Sequence, residues 1–248
     1  VPREGGGYRG GPAYYIKNVL GNKPMAALFA VLISVTFGLI FNSVQANTIT
    51  ISLQAAFGLD RFVMGCIIAA LTGIVIVGGV ARIAKVAEWM GPIMATASAS
   101  HPVKQGLIQA FGVFVDTLPV CSASAFIVLL SDGYTEGKLT GIELVQQSLS
   151  QHLGPWAPSF LAGMICLFAF SSIVGNYYYG EINIGFISKN YMTLMLFRVF
   201  VVGMVLFGSV AKVALVWDLA DLFMALRAIT NLVAIAILGK YAYIALHD

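Results

Sequence analysis

Two adjacent serines, Ser171 and Ser172, interrupt a long apolar stretch of this sequence, and Asn176 follows one helical turn later. Polar side chains are costly inside a bilayer and are usually kept where something polar binds or passes. Serine hydroxyls, together with freed backbone carbonyl groups, can supply the oxygen ligands that a hard cation such as sodium prefers. Serine and glycine also allow two helices to approach closely. From these residues alone, an ion site and a helix-packing site are both open interpretations.

A second polar group ends the first apolar stretch, where Asn42 and Gln45 lie three residues apart and share one helix face. A polar face at this depth points to a protein interior or a wet cavity rather than to lipid. Asp116 lies in the middle of the third apolar stretch, and we expect it to pair with a buried hydroxyl. We interpret Glu181, at the cytoplasmic end of the fourth apolar stretch, as a group at the membrane interface or a gating group.

The composition is that of an integral membrane protein. Of the 248 residues, 59% are hydrophobic and only 10% are charged, against about 25% charged residues in ordinary soluble domains. A span needs about 20 mostly apolar residues, and six stretches meet that length. We predict an all-α, polytopic helical membrane protein with a membrane domain over 25–248. The predicted spans are 25–47, 62–81, 106–130, 160–180, 192–216 and 222–246.

The distribution of basic residues predicts the orientation of these spans. Lysine and arginine concentrate in cytoplasmic loops, and the polar segment 1–24 carries Arg3, Arg9, Lys17 and Lys23. Counting the other loops in the same way places both termini in the cytoplasm and the protein in the cell's inner or plasma membrane. The scattered basic residues do not form a nucleic-acid-binding patch. The first residue is not methionine, so we expect an excerpt of a longer chain.

Other residues that could do chemistry do not form a recognisable motif. The three cysteines, Cys66, Cys121 and Cys166, lie in apolar stretches without metal-ligand spacing, and we interpret them as small core residues. The three histidines have no metal-ligand neighbour at helical spacing, and the serines have no triad spacing. We therefore predict that the protein is not an enzyme and carries no organic cofactor.

The sequence resembles the alanine or glycine:cation symporter family, the sodium:alanine symporters. The resemblance covers essentially the whole chain and is specific because several motifs occur together. They are YRGGPAYYI at 8–16, FNSVQANT at 41–48, GVFVDT at 112–117, GNYYYGE at 175–181 and LVWDLAD at 215–221.

The family's fold is similar to that of LeuT-type transporters, in which two inverted five-helix repeats hold their ligands between broken helices at mid-membrane. On that pattern the six spans resemble core helices three, four, seven, eight, nine and ten. Core helices one, two, five and six are lacking, and the join falls near Ala95 or Thr96. The lacking helices include both broken ones, one and six, whose backbone groups hold the amino acid in this family.

The resemblance also implies roles for individual residues. Ser171 and Ser172 would be hydroxyl ligands of a sodium ion, Na+, in a site that the missing first helix completes. Asn176, Gln45 and, with less support, Asn42 would face the substrate. The implied function is sodium-coupled symport of alanine or glycine across the lipid bilayer by alternating access. The alternative is a truncated, transport-inactive relative. Sodium is favoured over protons because no carboxylate lies beside the two serines, and the oligomeric state is left open.

Overall fold

The computed structural model describes residues 11–78, 102–131, 139 and 141–247, and all regular structure within them is helical. The prediction of an all-α protein is therefore confirmed, whereas the LeuT-type repeat stays a prediction. Two π-helical turns, π1 (Thr36–Phe41) and π2 (Asp116–Val120), join α2 to α3 and α5 to α6. The helices are α1 (Pro12–Asn18), α2 (Lys23–Val35), α3 (Asn42–Phe57), α4 (Arg61–Val77), α5 (Pro102–Val115), α6 (Cys121–Leu129), α7 (Ile142–Leu153), α8 (Ala157–Ile187), α9 (Tyr191–Val210) and α10 (Val213–His247).

Five of these helical segments are long and apolar enough to cross a membrane. They are Lys23–Phe57, Ala110–Leu129, Ala157–Ile187, Tyr191–Val210 and Val213–Gly239. Helix α4 is apolar but shorter, with 17 residues in the part of the chain that the structure describes. Six spans were predicted, so the second of them, 62–81, is represented by this shorter helix.

The first span is a continuous helical segment formed by α2, π1 and α3. The side chain of Asn22 caps its start by accepting a hydrogen bond of 3.0 Å from the backbone nitrogen of Met25. Gly58 ends it in the left-handed conformation, with φ of 69°, which glycine adopts without steric penalty. The segment therefore runs well past the predicted end at residue 47.

Asn47, at the predicted end of this span, is buried against the last turn of α9. Asn47 donates from Nδ2 to the carbonyl oxygens of Gly208 and Ala211, at 2.7 and 2.9 Å. Arg61 donates to the same Ala211 oxygen at 2.9 Å. The last carbonyl groups of a helix have no partner within the helix. The polar residues of α3 supply those partners, which explains why α3 continues through this region.

Helix α8 packs antiparallel to the first span. Leu53 of α3 shares an apolar cluster with Ala162 near the start of α8. At the other end, Gly38 in π1 meets Gly180 so closely that a Cβ on Gly180 would lie 3.1 Å from the Cα of Gly38. Helix α8 continues to Ile187, beyond the predicted end at residue 180.

The two C-terminal spans meet earlier than predicted. Helix α9 ends at Val210 and α10 begins at Val213, whereas the predicted spans were 192–216 and 222–246. Asp218 and Asp221, predicted to lie in a loop, are exposed residues inside α10. Lys212, predicted to lie inside the fifth span, occupies the exposed connection between the two helices. A dipeptide linker between Val210 and Val213 was enough to turn the chain.

Two arginines, both within predicted spans, lie inside membrane helices. Arg198 is within α9, and Arg227 is in the middle of the span Val213–Gly239. Neither arginine can therefore be counted among the loop residues that set the orientation of the spans. The cytoplasmic location of both termini now rests on fewer loop residues and stays a prediction.

The span that contains Asp116 has few neighbours among the described residues. Residues 111–126 of α5, π2 and α6 are all exposed, and α6 packs against α7. The expected pairing of Asp116 with a buried hydroxyl is not found within the described part of the chain. Pro119, which lies inside π2, cannot donate a backbone hydrogen bond and accounts for the irregular turn.

Candidate functional site

The antiparallel packing brings the predicted site residues to the same depth. Each residue advances a helix by about 1.5 Å, so residues equally far from the Gly38–Gly180 contact lie level with each other. Asn42 is four residues after Gly38, and Asn176 is four residues before Gly180. By the same count, Gln45 lies level with the turn that contains Ser172. Four predicted residues, drawn from two helices, therefore lie within about two helical turns of one another.

Asn42 is fully buried and has an acceptor without a partner. Its Nδ2 donates a hydrogen bond of 2.8 Å to the carbonyl oxygen of Gly38, whereas its Oδ1 is buried without a hydrogen bond. An unsatisfied buried acceptor costs about 1–3 kcal/mol. Asn42 directly follows the π1 turn, and π-helical turns frequently occur at functional sites. The free oxygen could accept a hydrogen bond from an ammonium group.

The other two amides also have hydrogen-bonding capacity. Asn176 is 9% exposed and Gln45 is half-buried, and neither forms a side-chain hydrogen bond with the described residues. A primary amide has two donors and two acceptor lone pairs. Together with Asn42, these side chains could bind both the carboxylate and the ammonium group of an amino acid.

Ser171 and Ser172 lie within a continuous helix. Both donate hydrogen bonds to the carbonyl oxygen of Phe168, at 2.7 and 3.0 Å. The break in this helix that would free backbone carbonyl groups is not found, because each hydroxyl bonds to its own helix and leaves the backbone ladder intact. Backbone carbonyl groups of this turn are therefore not free to act as ligands, and the sodium site at the two serines stays a prediction. The oxygen lone pairs of both hydroxyls stay available, since the hydroxyls act here as donors.

The serines belong to a half-buried surface that faces away from the helix contact. Gly175 lies on it, and a Cβ added there would have no atom within 4 Å. At one end, the rings of Phe37 and Tyr179 lie 5.8 Å apart between centroids and connect the two helices. We call this surface the open face. Its members are the half-buried Phe37, Phe41, Gln45, Ser171, Ser172 and Gly175, together with Tyr179, which is exposed.

A buried polar network that the sequence analysis missed lies behind the open face. Arg198 of α9, 8% exposed, donates from Nε to the hydroxyl oxygen of Tyr177 at 3.0 Å and lies 3.6 Å from a carboxylate oxygen of Glu181. The signal was present, because an arginine inside an apolar helix needs a buried partner and Glu181 was available. Glu181 is thus a partner of Arg198 as well as a residue near the helix end.

A second missed contact joins the segment between the third and fourth spans to the bundle. Gln146 of α7 is buried and donates from Nε2 to the carbonyl oxygen and the hydroxyl of Ser52, at 3.1 and 3.0 Å. It also donates to the carbonyl oxygen of Pro158 at 3.3 Å. The sequence analysis did not predict helix α7, which lies between the predicted spans 106–130 and 160–180. Its buried amide fixes it against α3 and the start of α8.

The cysteines do not form a site among the described residues. Cys66 and Cys121 are exposed and Cys166 is half-buried, and all three are free thiols. The prediction that all three are core residues was wrong for the first two, which lie on outward faces of apolar helices. No group of three histidine, cysteine or acidic side chains comes together within the ranges described.

Comparison with known proteins gives a match over the whole length. The family described as "Sodium:alanine symporter family" matches residues 1–97 and 94–248. The two matched segments meet at 94–97, where the join near Ala95 or Thr96 was predicted, in a region outside the described residues. This agreement supports the interpretation that the chain lacks an internal part of the family's sequence.

Three curated relatives are similar to this chain. The probable sodium/glutamine symporter GlnT of Bacillus subtilis is 43% identical over 98% of the chain and 65% of its own length. The amino-acid carrier protein AlsT of the same organism is 38% identical over 97% of the chain and 66% of its own length. The putative sodium/proton-dependent alanine carrier protein YrbD of that organism is 30% identical over 99% and 68%.

The chain therefore spans slightly less than two thirds of the length of the first two relatives. The alignment with the first of them extends over 309 positions, although the chain has 248 residues. The relative thus contains residues, within the aligned region, that this chain lacks.

Proposed function

This chain belongs to the sodium:alanine symporter family, and from that premise we propose that it takes part in sodium-coupled symport of a small neutral amino acid. The chain is a multi-pass helical membrane protein, and its family and relatives are transporters rather than enzymes. Alanine or glycine is the proposed substrate, and alternating access across the plasma membrane is the proposed mechanism. The observation that carries the proposal is the common depth of Asn42, Asn176, Gln45 and Ser172 beside an open face.

Each of these residues has a role that its environment supports. The unsatisfied Oδ1 of Asn42 accepts from the substrate's ammonium group. Asn176 and Gln45 hold the substrate through their free amides. Ser171 and Ser172 give hydroxyl oxygens to a sodium ion, which prefers oxygen ligands. Since both hydroxyl protons already point to Phe168, the serine lone pairs face the ion without competition.

The size of the substrate depends on what covers the open face. In a LeuT-type fold, two broken helices would close the site from the side opposite these residues. We propose that such helices cover the open face. Alanine and glycine fit the proposal because three amides and two hydroxyls leave little apolar surface for a larger side chain. GlnT is named as a probable glutamine symporter, so glutamine is the first competitor to test.

The alternative is a truncated relative without transport of its own. Two observations favour it. The family match falls into two segments that meet at 94–97, and the span that contains Asp116 is exposed over residues 111–126. A helix with an exposed carboxylate at membrane depth is costly in lipid. On this alternative, other helices are needed to complete the protein.

Uptake into liposomes separates the two. The purified chain is reconstituted with an inward sodium gradient and labelled alanine, with full-length AlsT tested alongside. Sodium-dependent uptake that Ser172→Ala reduces supports symport by this chain. Background uptake by this chain, beside normal uptake by AlsT, supports the truncated alternative. Uptake that follows a pH gradient in sodium-free buffer contradicts sodium coupling. Unlabelled glycine, serine and glutamine added as competitors then rank the substrates.

A further inference from the structure

The two arginines inside membrane helices differ in their partners. Arg198 contacts the hydroxyl of Tyr177 and the carboxylate of Glu181. Arg227 of α10 has no carboxylate within ion-pair distance among the residues that the structure describes. A cation at membrane depth is expensive unless it pairs with an anion or faces a wet cavity. The difference indicates that the anion for Arg227 comes from outside the described residues.

The guanidinium of Arg227 is held in place but is not neutralised. Its central carbon lies 4.8 Å from the centre of the Phe37 ring, which is a cation–π contact. Its Nε is buried without a hydrogen-bond partner. A terminal nitrogen lies 3.9 Å from the sulfur of Met224, and a thioether is only a weak acceptor. Most of the donors of the side chain are therefore free.

The contact with Phe37 places Arg227 at one end of the open face. Phe37 also meets Tyr179 on α8, at 5.8 Å between ring centroids. Asn42 is five residues beyond Phe37 and follows the π1 turn, so Phe37 and Asn42 lie at different depths along the first span. Arg227 thus contacts a residue of the open face, at the end of the bundle that carries α1.

The side chain suits one class of anion. The planar guanidinium presents paired N–H donors that match the two oxygens of a carboxylate. Stacking on Phe37 fixes the plane and leaves the donor edges open. We propose that Arg227 forms a second subsite that binds the carboxylate of the transported amino acid on its path toward the α1 end. This inference rests on the proposed function.

A chemical protection experiment tests the site directly. The intact chain in detergent is treated with phenylglyoxal, which modifies accessible arginines, and each arginine is quantified by mass spectrometry. Alanine and propionate are expected to protect Arg227, whereas alaninamide, which lacks the carboxylate, is not. Arg61, which donates to the carbonyl oxygen of Ala211, is the matched control, and its modification should not depend on any of the three. Equal modification of Arg227 under all conditions overturns the proposal.

The same experiment distinguishes a free carboxylate from one on a protein side chain. If Arg227 resists modification before any carboxylate is added, an acidic side chain already covers it and the proposal is wrong. If propionate protects Arg227 but the chain shows no sodium-dependent alanine binding, the carboxylate site stands and the proposed symport fails.

Two variants give an independent measurement. A charged hydrogen bond is worth enough to change affinity by about tenfold to a hundredfold. Arg227→Gln should therefore weaken alanine binding at the second subsite by about that factor and leave the sodium-dependent binding at the first site, whereas Arg227→Lys should retain most of the binding at both. Competition by alaninamide should be the same in both variants. Unchanged alanine binding in Arg227→Gln, with its sodium dependence intact, overturns the second subsite and leaves the proposed function in place.

Discussion

Gly38 and Gly180 meet where the first span crosses α8, and a Cβ on Gly180 would lie 3.1 Å from the Cα of Gly38. The ring of Phe197 from α9 fills the space beside both glycines, so that a Cβ on either would overlap it. The first span, α8 and α9 therefore contact one another at this point. This contact sets the depth of Asn42 relative to Asn176, because each lies four residues from one of its glycines.

We expect Gly180→Ala to destabilise the protein. The added methyl group must displace the Phe197 ring and press on the Gly38 backbone, and overpacking of this kind costs about 1–3 kcal/mol. Thermal unfolding in detergent measures the effect. Gly163→Ala on the same helix is the control, because a Cβ there has no atom within 4 Å. If the two variants unfold at the same temperature, the close crossing does not exist.

Gly175→Val should block the proposed site without unfolding the protein. No atom lies within 4 Å of a Cβ at Gly175, so unfolding should change by only about 0.5 kcal/mol. The isopropyl group would occupy the open face one turn from Ser172 and displace the ligands. A small displacement at a site can reduce activity by about a hundredfold.

Labelled alanine uptake, or equilibrium binding where uptake is absent, measures this effect. Gly163→Val is the matched control, because Gly163 also lies in α8 with open space around it but outside the open face. Normal alanine binding in Gly175→Val would show that the substrate does not use this surface.

The sequence was sufficient to predict the helical class and the family, whereas the residues of the candidate site stay predictions. The first helical segment continues past the predicted end of the span at Asn47, which was placed there because Asn47 is polar. In the structure, Asn47 binds carbonyl groups at the end of α9. A local pattern does not show a partner that is more than a hundred residues away in the chain.

The same limit explains two other differences. The partners of Arg198 are on a neighbouring helix, so the sequence around Arg198 did not show them. The serines interrupt an apolar stretch of the sequence, but a hydroxyl that bonds to its own helix leaves the helix continuous. Whether a polar group interrupts a helix or bonds within it depends on geometry that residue type alone does not determine.

Ser172→Ala should change the sodium dependence of binding more than the stability. The hydroxyl of Ser172 bonds only within its own helix, so its loss should alter unfolding by about 0.5 kcal/mol or less. If the oxygen is a sodium ligand, the half-saturating sodium concentration should rise by about tenfold, which corresponds to about 1.4 kcal/mol. Ser172→Thr retains the hydroxyl and should bind sodium almost normally. If Ser172→Ala has the same sodium dependence as the unmodified chain, Ser172 is not a sodium ligand.

Arg198→Met should be strongly destabilising, because it leaves the carboxylate of Glu181 buried without a cation. Removing one partner of a buried ion pair costs about 3–5 kcal/mol. The double variant Arg198→Met with Glu181→Gln removes both charges and should recover much of that loss, as measured by thermal unfolding. Additive losses in the double variant would show that the two residues do not interact. Recovery of stability together with normal alanine binding would identify the pair as a structural link between α8 and α9, separate from the substrate path.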